Sequence, residues 1–174
     1  MKKCVFFDRD GIVNVAPGPG YVLNWSGFKL MPGFANILRA VRAKGYEAVV
    51  ITNQQGVARG LMSMEALNEI HENMQAELRG KYGLELTDVF TCTHAAAENC
   101  ACRKPKPGMF HMAAEKHHID LQSSWMVGDN ERDIEAGRAA GCRTILVSAE
   151  LAGTAADYKV RDLPELDSLI AKAL

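Results

Sequence analysis

No apolar run in the 174-residue chain approaches the roughly 20 residues that cross a bilayer. Met1-Lys2-Lys3 leads straight into a short strand pattern rather than the core of a signal peptide. Both features argue against a membrane protein, and a cytoplasmic one is expected. An excess of charge of either sign is lacking too. Twenty basic and 21 acidic residues leave a formal net charge of −1, which offers no electrostatic footprint for nucleic acid or an anionic membrane surface. Internal repeats, linkers and low-complexity tracts are missing as well. With 48% hydrophobic and 24% charged residues, the composition is that of one globular domain over residues 1–174. What remains is the expectation of a monomer with a small-molecule partner.

What is present is an alternation. Strand-like apolar runs at Cys4–Phe7, Ala48–Ile51, Val89–Thr91, Trp125–Val127 and Thr144–Val147 are separated by segments of helical period. Phe34, Ile37, Leu38 and Val41 share one helical face that should end near Gly45. Ser63 can cap a longer helix with Leu67, Ile70, Met74 and Leu78 on one face and Gly83 at its end. Further helices are expected over about 109–116 and 132–140 and after Leu163-Pro164. Strands alternating with helices predict an α/β fold with a parallel sheet, whose ligand crevice lies beyond the carboxyl ends of the strands.

The residues just past those ends therefore carry the functional reading. Asp8-Arg9-Asp10-Gly11 puts two carboxylates two residues apart where the chain leaves the first strand. One carboxylate can attack phosphorus while a second carboxyl protonates the departing oxygen and later activates water; two aspartates that merely cap a turn are the plainer alternative. Thr52-Asn53-Gln54 offers a hydroxyl and backbone N–H groups for phosphoryl oxygens. Arg103-Lys104-Pro105-Lys106-Pro107 offers cations on a backbone stiffened by prolines, or else a solvated basic loop. Gly128-Asp129-Asn130-Glu131-Arg132-Asp133 opens a helix with carboxylates that suit a hard cation, or simply helix capping. Nucleophile, hydroxyl, lysine and acidic metal site together make the kit for phosphoryl transfer.

The five cysteines do not read as a disulfide set. Cys4 and Cys142 fall in core-like positions, whereas Cys92-x-His94 and Cys100-x-Cys102 supply four zinc ligands within eleven residues, enough to close a tetrahedral, structural Zn²⁺ site. Cys102 directly precedes Arg103-Lys104, so a metal there would fix the loop, about 92–105, that carries both cations.

In this order the four strand-end segments resemble the four motifs of the haloacid dehalogenase superfamily of phosphatases, over nearly the whole chain. The resemblance implies a three-layer, Rossmann-like parallel sheet with helices on both faces, a small zinc-binding loop and no large cap domain. It implies Asp8 as nucleophile, Asp10 as general acid/base, and Thr52 and Lys104 as phosphoryl stabilisers. It places catalytic Mg²⁺ on Asp8, the Asp10 carbonyl and Asp129, supported from behind by Asp133. The zinc loop joined to Arg103-Lys104-Pro105 is similar to that of the subfamily of D-glycero-D-manno-heptose-1,7-bisphosphate 7-phosphatases and histidinol-phosphatases.

From that subfamily, Arg9, Gly20, Tyr21, Asn53, Gln54, Gln55, Arg103, Lys104 and Asn130 are the expected substrate-binding residues, with the Arg103 fork suited to a second phosphate. The expected reaction takes a heptose 1,7-bisphosphate to the 1-phosphate. Histidinol phosphate or another small ester is the alternative within the same chemistry, and a non-catalytic zinc-stabilised binding module the alternative outside it. Two departures stand out: Ala16-Pro17-Gly18-Pro19 is longer and less polar than the corresponding stretch of heptose enzymes, and Asn130 replaces a lysine common in the group.

Overall fold

The computed structural model describes residues 1–150 and 153–174. In chain order the elements are β1 (Cys4–Phe7), α1 (Phe34–Ala43), β2 (Glu47–Asn53), α2 (Met64–Tyr82), β3 (Asp88–Cys92), α3 (Gly108–His117), β4 (Trp125–Gly128), α4 (Glu131–Ala139), β5 (Arg143–Val147), β6 (Tyr158–Val160) and α5 (Leu163–Ala173). All pairings between strands are parallel and the spatial order is β3-β2-β1-β4-β5-β6. No helix among the described residues is long and apolar enough to cross a membrane.

Period-two alternation along the central strands splits the interior into two layers. Val5 and Phe7 of β1, Ala48 and Val50 of β2, and Trp125 and Val127 of β4 pack with the stripes of α1, α2 and α5. Cys4 and Phe6, Val49 and Ile51, and Met126 face the other way, against Met109, Phe110 and Ala113 of α3 and Ala136 of α4. A sheet buried on both faces needs apolar residues at every position, which is why these strands are continuous apolar runs. Cys4 and Cys142 are buried in the second layer, as expected.

Helix boundaries follow the local signals to within a residue or two. Ser63 Oγ accepts from the Ala66 N–H at 3.1 Å to start α2, and Gly83 in the left-handed region, φ 64°, ends it. Asn24 is a local cap of the turn that follows it: its side chain accepts from the Gly27 N–H at 3.1 Å. One element was not expected. The three-residue edge strand β6 has an exposed Tyr158 and Lys159 and only Val160 buried, so it carries no apolar run to announce it.

The strand order places β1 between β2 and β4, registered by Phe7 opposite both Val50 and Val127. Chain direction across the sheet reverses at the β1–β4 boundary, where adjacent loops part and a ligand crevice opens.

Candidate active site

Asp8 is the first residue beyond β1. Its N–H still donates to the Val127 carbonyl at 3.0 Å, which holds its backbone to β4. Its nearly buried carboxylate meets the ammonium of Lys104: Lys104 Nζ donates to Asp8 Oδ1 at 2.7 Å and to the Ile51 carbonyl at 3.0 Å, and pairs with Asp133 Oδ1 at 2.7 Å. Burial and the neighbouring Asp133 push the Asp8 carboxyl up to about 7 against the pull of Lys104. Burial would lower the lysine, but Asp133 and Asp8 outweigh it and hold its pKa above the usual value. Asn53 keeps Lys104 in place by a reciprocal pair of bonds, its Oδ1 accepting from the Lys104 N–H and its Nδ2 donating to the Lys104 carbonyl, both at 3.0 Å.

Asp10 sits in a different environment. Its Oδ1 accepts from Arg9 Nη2 at 2.9 Å and Asn14 Nδ2 at 2.9 Å, and its Oδ2 from Gln54 Nε2 at 3.0 Å. Burial alone would raise this carboxyl, yet Arg9, Asn14 and Gln54 prevail and keep it below the ordinary range. Two aspartates two residues apart thus have opposed proton affinities, set by their different partners.

Asp129 follows β4 at the same edge. Its carboxylate lies directly over Gly11, where an added Cβ would come within 2.0 Å of Asp129 Oδ2, and Gly11 has φ 93°. Only glycine satisfies both the turn and the close approach. Oxygens of Asp8, Asp129 and Asp133 lie within 4.8 Å of one another, and burial with Asp133 pushes Asp129 up to about 6. Lys104 Nζ lies 2.7 Å from both Asp8 and Asp133, which leaves the three carboxylates with negative charge in surplus. That donor set fits a hard divalent cation, which would relieve the repulsion.

The crevice is a cavity of about 210 Å³ lined by Asp8, Asp10, Thr52, Asn53, Lys104, Asp129, Asn130 and Arg132, with Ala16–Gly18, Gly20 and Tyr21 along one wall. Tyr21 is fixed by Gln55, whose Nε2 donates to the hydroxyl at 2.9 Å, and by Arg59 Nη1 at 3.4 Å. Asn130 lines the crevice while its Oδ1 caps α4, accepting from the Arg132 N–H at 3.1 Å, as the capping reading of this turn has it.

Several residues expected to bind substrate lie outside the lining of the crevice. Arg9 is fully buried and its guanidinium is spent on Asp10 and His71. Gln54 is also fully buried, donating to Asp10 and, at 2.9 Å, to Thr52 Oγ1. Both hold Asp10, and neither lines the crevice. Gln55 reaches it only through Tyr21. Arg103 stands outside its lining, with Nη1 directed at the His94 carbonyl at 3.5 Å. Arg132, Asn14 and His71 were not foreseen. For Arg132, its place as the second residue of a helix that opens beyond a strand end was the available signal; the other two had none.

Beside this crevice the four zinc-ligand candidates converge. Cys92 Sγ lies 3.6 Å from His94 Nδ1 and 3.6 Å from Cys100 Sγ, His94 Nδ1 lies 3.3 Å from Cys102 Sγ, and the last two sulfurs are 3.5 Å apart. Tetrahedral Zn²⁺ with bonds of about 2.0–2.3 Å spaces its ligand atoms roughly 3.5–3.8 Å apart, so the cluster could hold zinc with little movement. Cys92 is the buried last residue of β3, not a loop residue, which ties the cluster to the sheet. Lys106 Nζ fastens the other side, donating to Asn99 Oδ1 at 2.5 Å and the Cys100 carbonyl at 2.9 Å.

A parallel sheet of this order with carboxylates after β1 and β4 and a lysine beside the first defines a class of hydrolase. Residues 101–166 match the HAD-hydrolase-like family model. The fold is similar to the crystal structure of D,D-heptose 1,7-bisphosphate phosphatase from B. bronchiseptica complexed with magnesium and phosphate, with a TM-score of 0.85, 31% identity and 99% of each chain covered. A relative from Haemophilus ducreyi, D-glycero-beta-D-manno-heptose-1,7-bisphosphate 7-phosphatase, is 39% identical over 176 residues, 97% of this chain and 95% of that one. The enzyme of the same name from Helicobacter pylori is 35% identical over 170 residues, 97% of each. The chain belongs to the haloacid-dehalogenase-like hydrolases, and among them it is a phosphatase of small phosphate esters.

Proposed function

We propose that this phosphatase removes the 7-phosphate of D-glycero-D-manno-heptose 1,7-bisphosphate through a phospho-aspartate on Asp8. The observation that supports it most is the convergence of Asp8, Lys104, Thr52 and Asp129 on one small crevice in a chain that aligns almost end to end with enzymes of that name. Asp8 attacks phosphorus as the bond to the heptose O7 breaks, and Asp10 delivers a proton to the departing oxygen. A water then attacks the acyl phosphate, Asp10 takes up its proton, and inorganic phosphate leaves with Asp8 restored. A dianionic ester entering beside Asp10 raises the proton affinity of that carboxylate, so the acid form is generated by the substrate. Thr52 Oγ1 and Lys104 Nζ hold the phosphoryl oxygens.

Asp8, the Asp10 carbonyl and Asp129 would hold Mg²⁺, which supplies neutralisation of the charge between the attacking carboxylate and the phosphoryl group. Asp133 orients Lys104 and closes the α4 turn by accepting from the Asn130 N–H at 3.2 Å. Cys92, His94, Cys100 and Cys102 take a structural zinc. Tyr21, with Gln55 and Arg59 behind it, and Arg132 shape the sugar side.

Phosphate release with Mg²⁺ tests this across both anomers of heptose 1,7-bisphosphate, histidinol phosphate, simple sugar phosphates and an aryl phosphate. The expected outcome is the highest kcat/KM for a heptose bisphosphate. A higher kcat/KM on histidinol phosphate or on a sugar monophosphate would refute the substrate assignment.

A further inference from the structure

We propose that His71 is a positioning residue for the proton-transferring Asp10, acting through the buried guanidinium of Arg9. The inference rests on the proposed function only in taking Asp10 as the general acid/base. His71 lies on α2, 62 residues from Arg9, and lines a groove with Glu72, Gln75 and Asp88 that is separate from the active-site crevice. It cannot touch substrate, so any effect on turnover passes through its neighbour.

The geometry is specific. The Nε–Nη2 edge of Arg9 faces Asp10, with Nη2 at 2.9 Å and Nε at 3.2 Å from Oδ1 and Nη2 at 3.3 Å from Oδ2. Its remaining nitrogen, Nη1, lies 3.2 Å from His71 Nε2. A guanidinium can only donate, so His71 Nε2 must be the unprotonated acceptor and its proton sits on Nδ1. Burial and the charge of Arg9 agree with a neutral ring, pushing His71 down to about 3.

Why an acceptor is needed there follows from burial. Arg9 has no exposed surface, and a buried guanidinium N–H without a partner carries a desolvation penalty. With His71 in place every nitrogen of the fork is engaged and its rotation is fixed, which in turn fixes Asp10 from below while Asn14 and Gln54 hold it from the sides. Only the side chain's outer quarter stays exposed to the crevice. Without His71 the fork can turn to seek another acceptor, and Asp10 turns with it. General acid catalysis is sensitive to such a displacement because the proton must be delivered along a hydrogen bond to the leaving oxygen.

Removing the acceptor with His71→Leu, and in parallel His71→Met, tests this with two esters. A sugar phosphate leaves as a poor alkoxide and needs the proton; an aryl phosphate leaves without one. kcat/KM reports the first irreversible step, phosphoryl transfer to Asp8. For the heptose bisphosphate it should fall about tenfold or more in both variants, a part of the 10²–10⁴ that general acid catalysis contributes. For the aryl phosphate it should change by less than about twofold. His71→Gln, whose carbonyl can accept from Nη1, should recover most of the loss.

Equal losses on both esters, no loss on the sugar ester, or a Gln variant as impaired as Leu and Met would each overturn the proposal. Melting temperatures taken alongside identify a variant that fails to fold, and the remaining apolar variant then carries the comparison. Wild-type turnover decides the substrate reading separately: if another sugar phosphate is the best substrate, the same ratio is read on that ester.

Discussion

At the scale of the residue, the site works by giving like side chains unlike surroundings. Asp8 and Asp10 are two positions apart, yet burial beside Asp133 raises one while Arg9 outweighs burial to lower the other. Asp8→Asn should therefore abolish phosphate release, by at least about 10³-fold, while the melting temperature and zinc content stay unchanged, since nucleophile is lost with little change of shape. Gly11→Ala is a different kind of change. Its Cβ would meet Asp129 Oδ2 at 2.0 Å from a backbone at φ 93°, so stability should fall by about 1–3 kcal/mol and Mg²⁺ affinity by calorimetric titration should weaken with it. Undiminished Mg²⁺ affinity would remove Asp129 from the metal site.

At the scale of the element, the loop that follows β3 joins structure to chemistry. It leaves the sheet at the buried Cys92 and brings Lys104 beside Asp8, and the candidate metal cluster closes the loop between them. Cys100→Ser should lower zinc content and melting temperature together, with phosphatase activity falling as a consequence. Full zinc occupancy in that variant, by elemental analysis, would show that the ligand set is different. Helix α4 is built in the same economical manner: Asn130 caps it, and Asp133, within its first turn, packs so close to β4 that a Cβ at Gly128 would lie 2.4 Å from the Asp133 Cβ.

At the scale of the whole molecule, the amino-terminal edge of the sheet is bound by a charge cluster remote from the crevice. Glu47 at the start of β2 accepts from Thr87 Oγ1 at 2.6 Å, pairs with Arg42 of α1 at 2.6 Å and with Lys2 at 3.0 Å. The Thr87 hydrogen bond and these cations, against some burial, bring its carboxyl down to about 2 from an ordinary 4.5. A carboxyl lowered by folding stabilises the native state fully above its unfolded pKa, and the contribution disappears as pH falls through the folded one. Glu47→Gln should therefore flatten the decline of melting temperature between about pH 4.5 and pH 2, and should do so without altering kcat; an unchanged acid limb would place the sensitivity elsewhere.

Local signals were enough for much of this. The strands β1 to β5 and the limits of α2 follow from apolar runs, Ser63 and Gly83, because burial and capping act on neighbours in sequence. Likewise the gathering of Asp8, Asp10, Thr52 and Asp129 at one crevice was legible from their places after strands, since a parallel sheet presents all such ends on one edge. Direction was not legible. Nothing in Asp8-Arg9-Asp10 says that the cation turns into the core to meet His71 of α2, or that Gln54 turns toward Asp10, because side-chain direction is set by what the other layer leaves unpaired. The edge strand β6 also waited on the structure, its three residues gaining order from β5 rather than from their own composition. The sequence by itself determined the fold class and which strand-end groups gather at one edge; the order of the strands, and with it which residues line the crevice and which only hold those that do, was decided by tertiary packing, where contacts form between residues far apart in the chain.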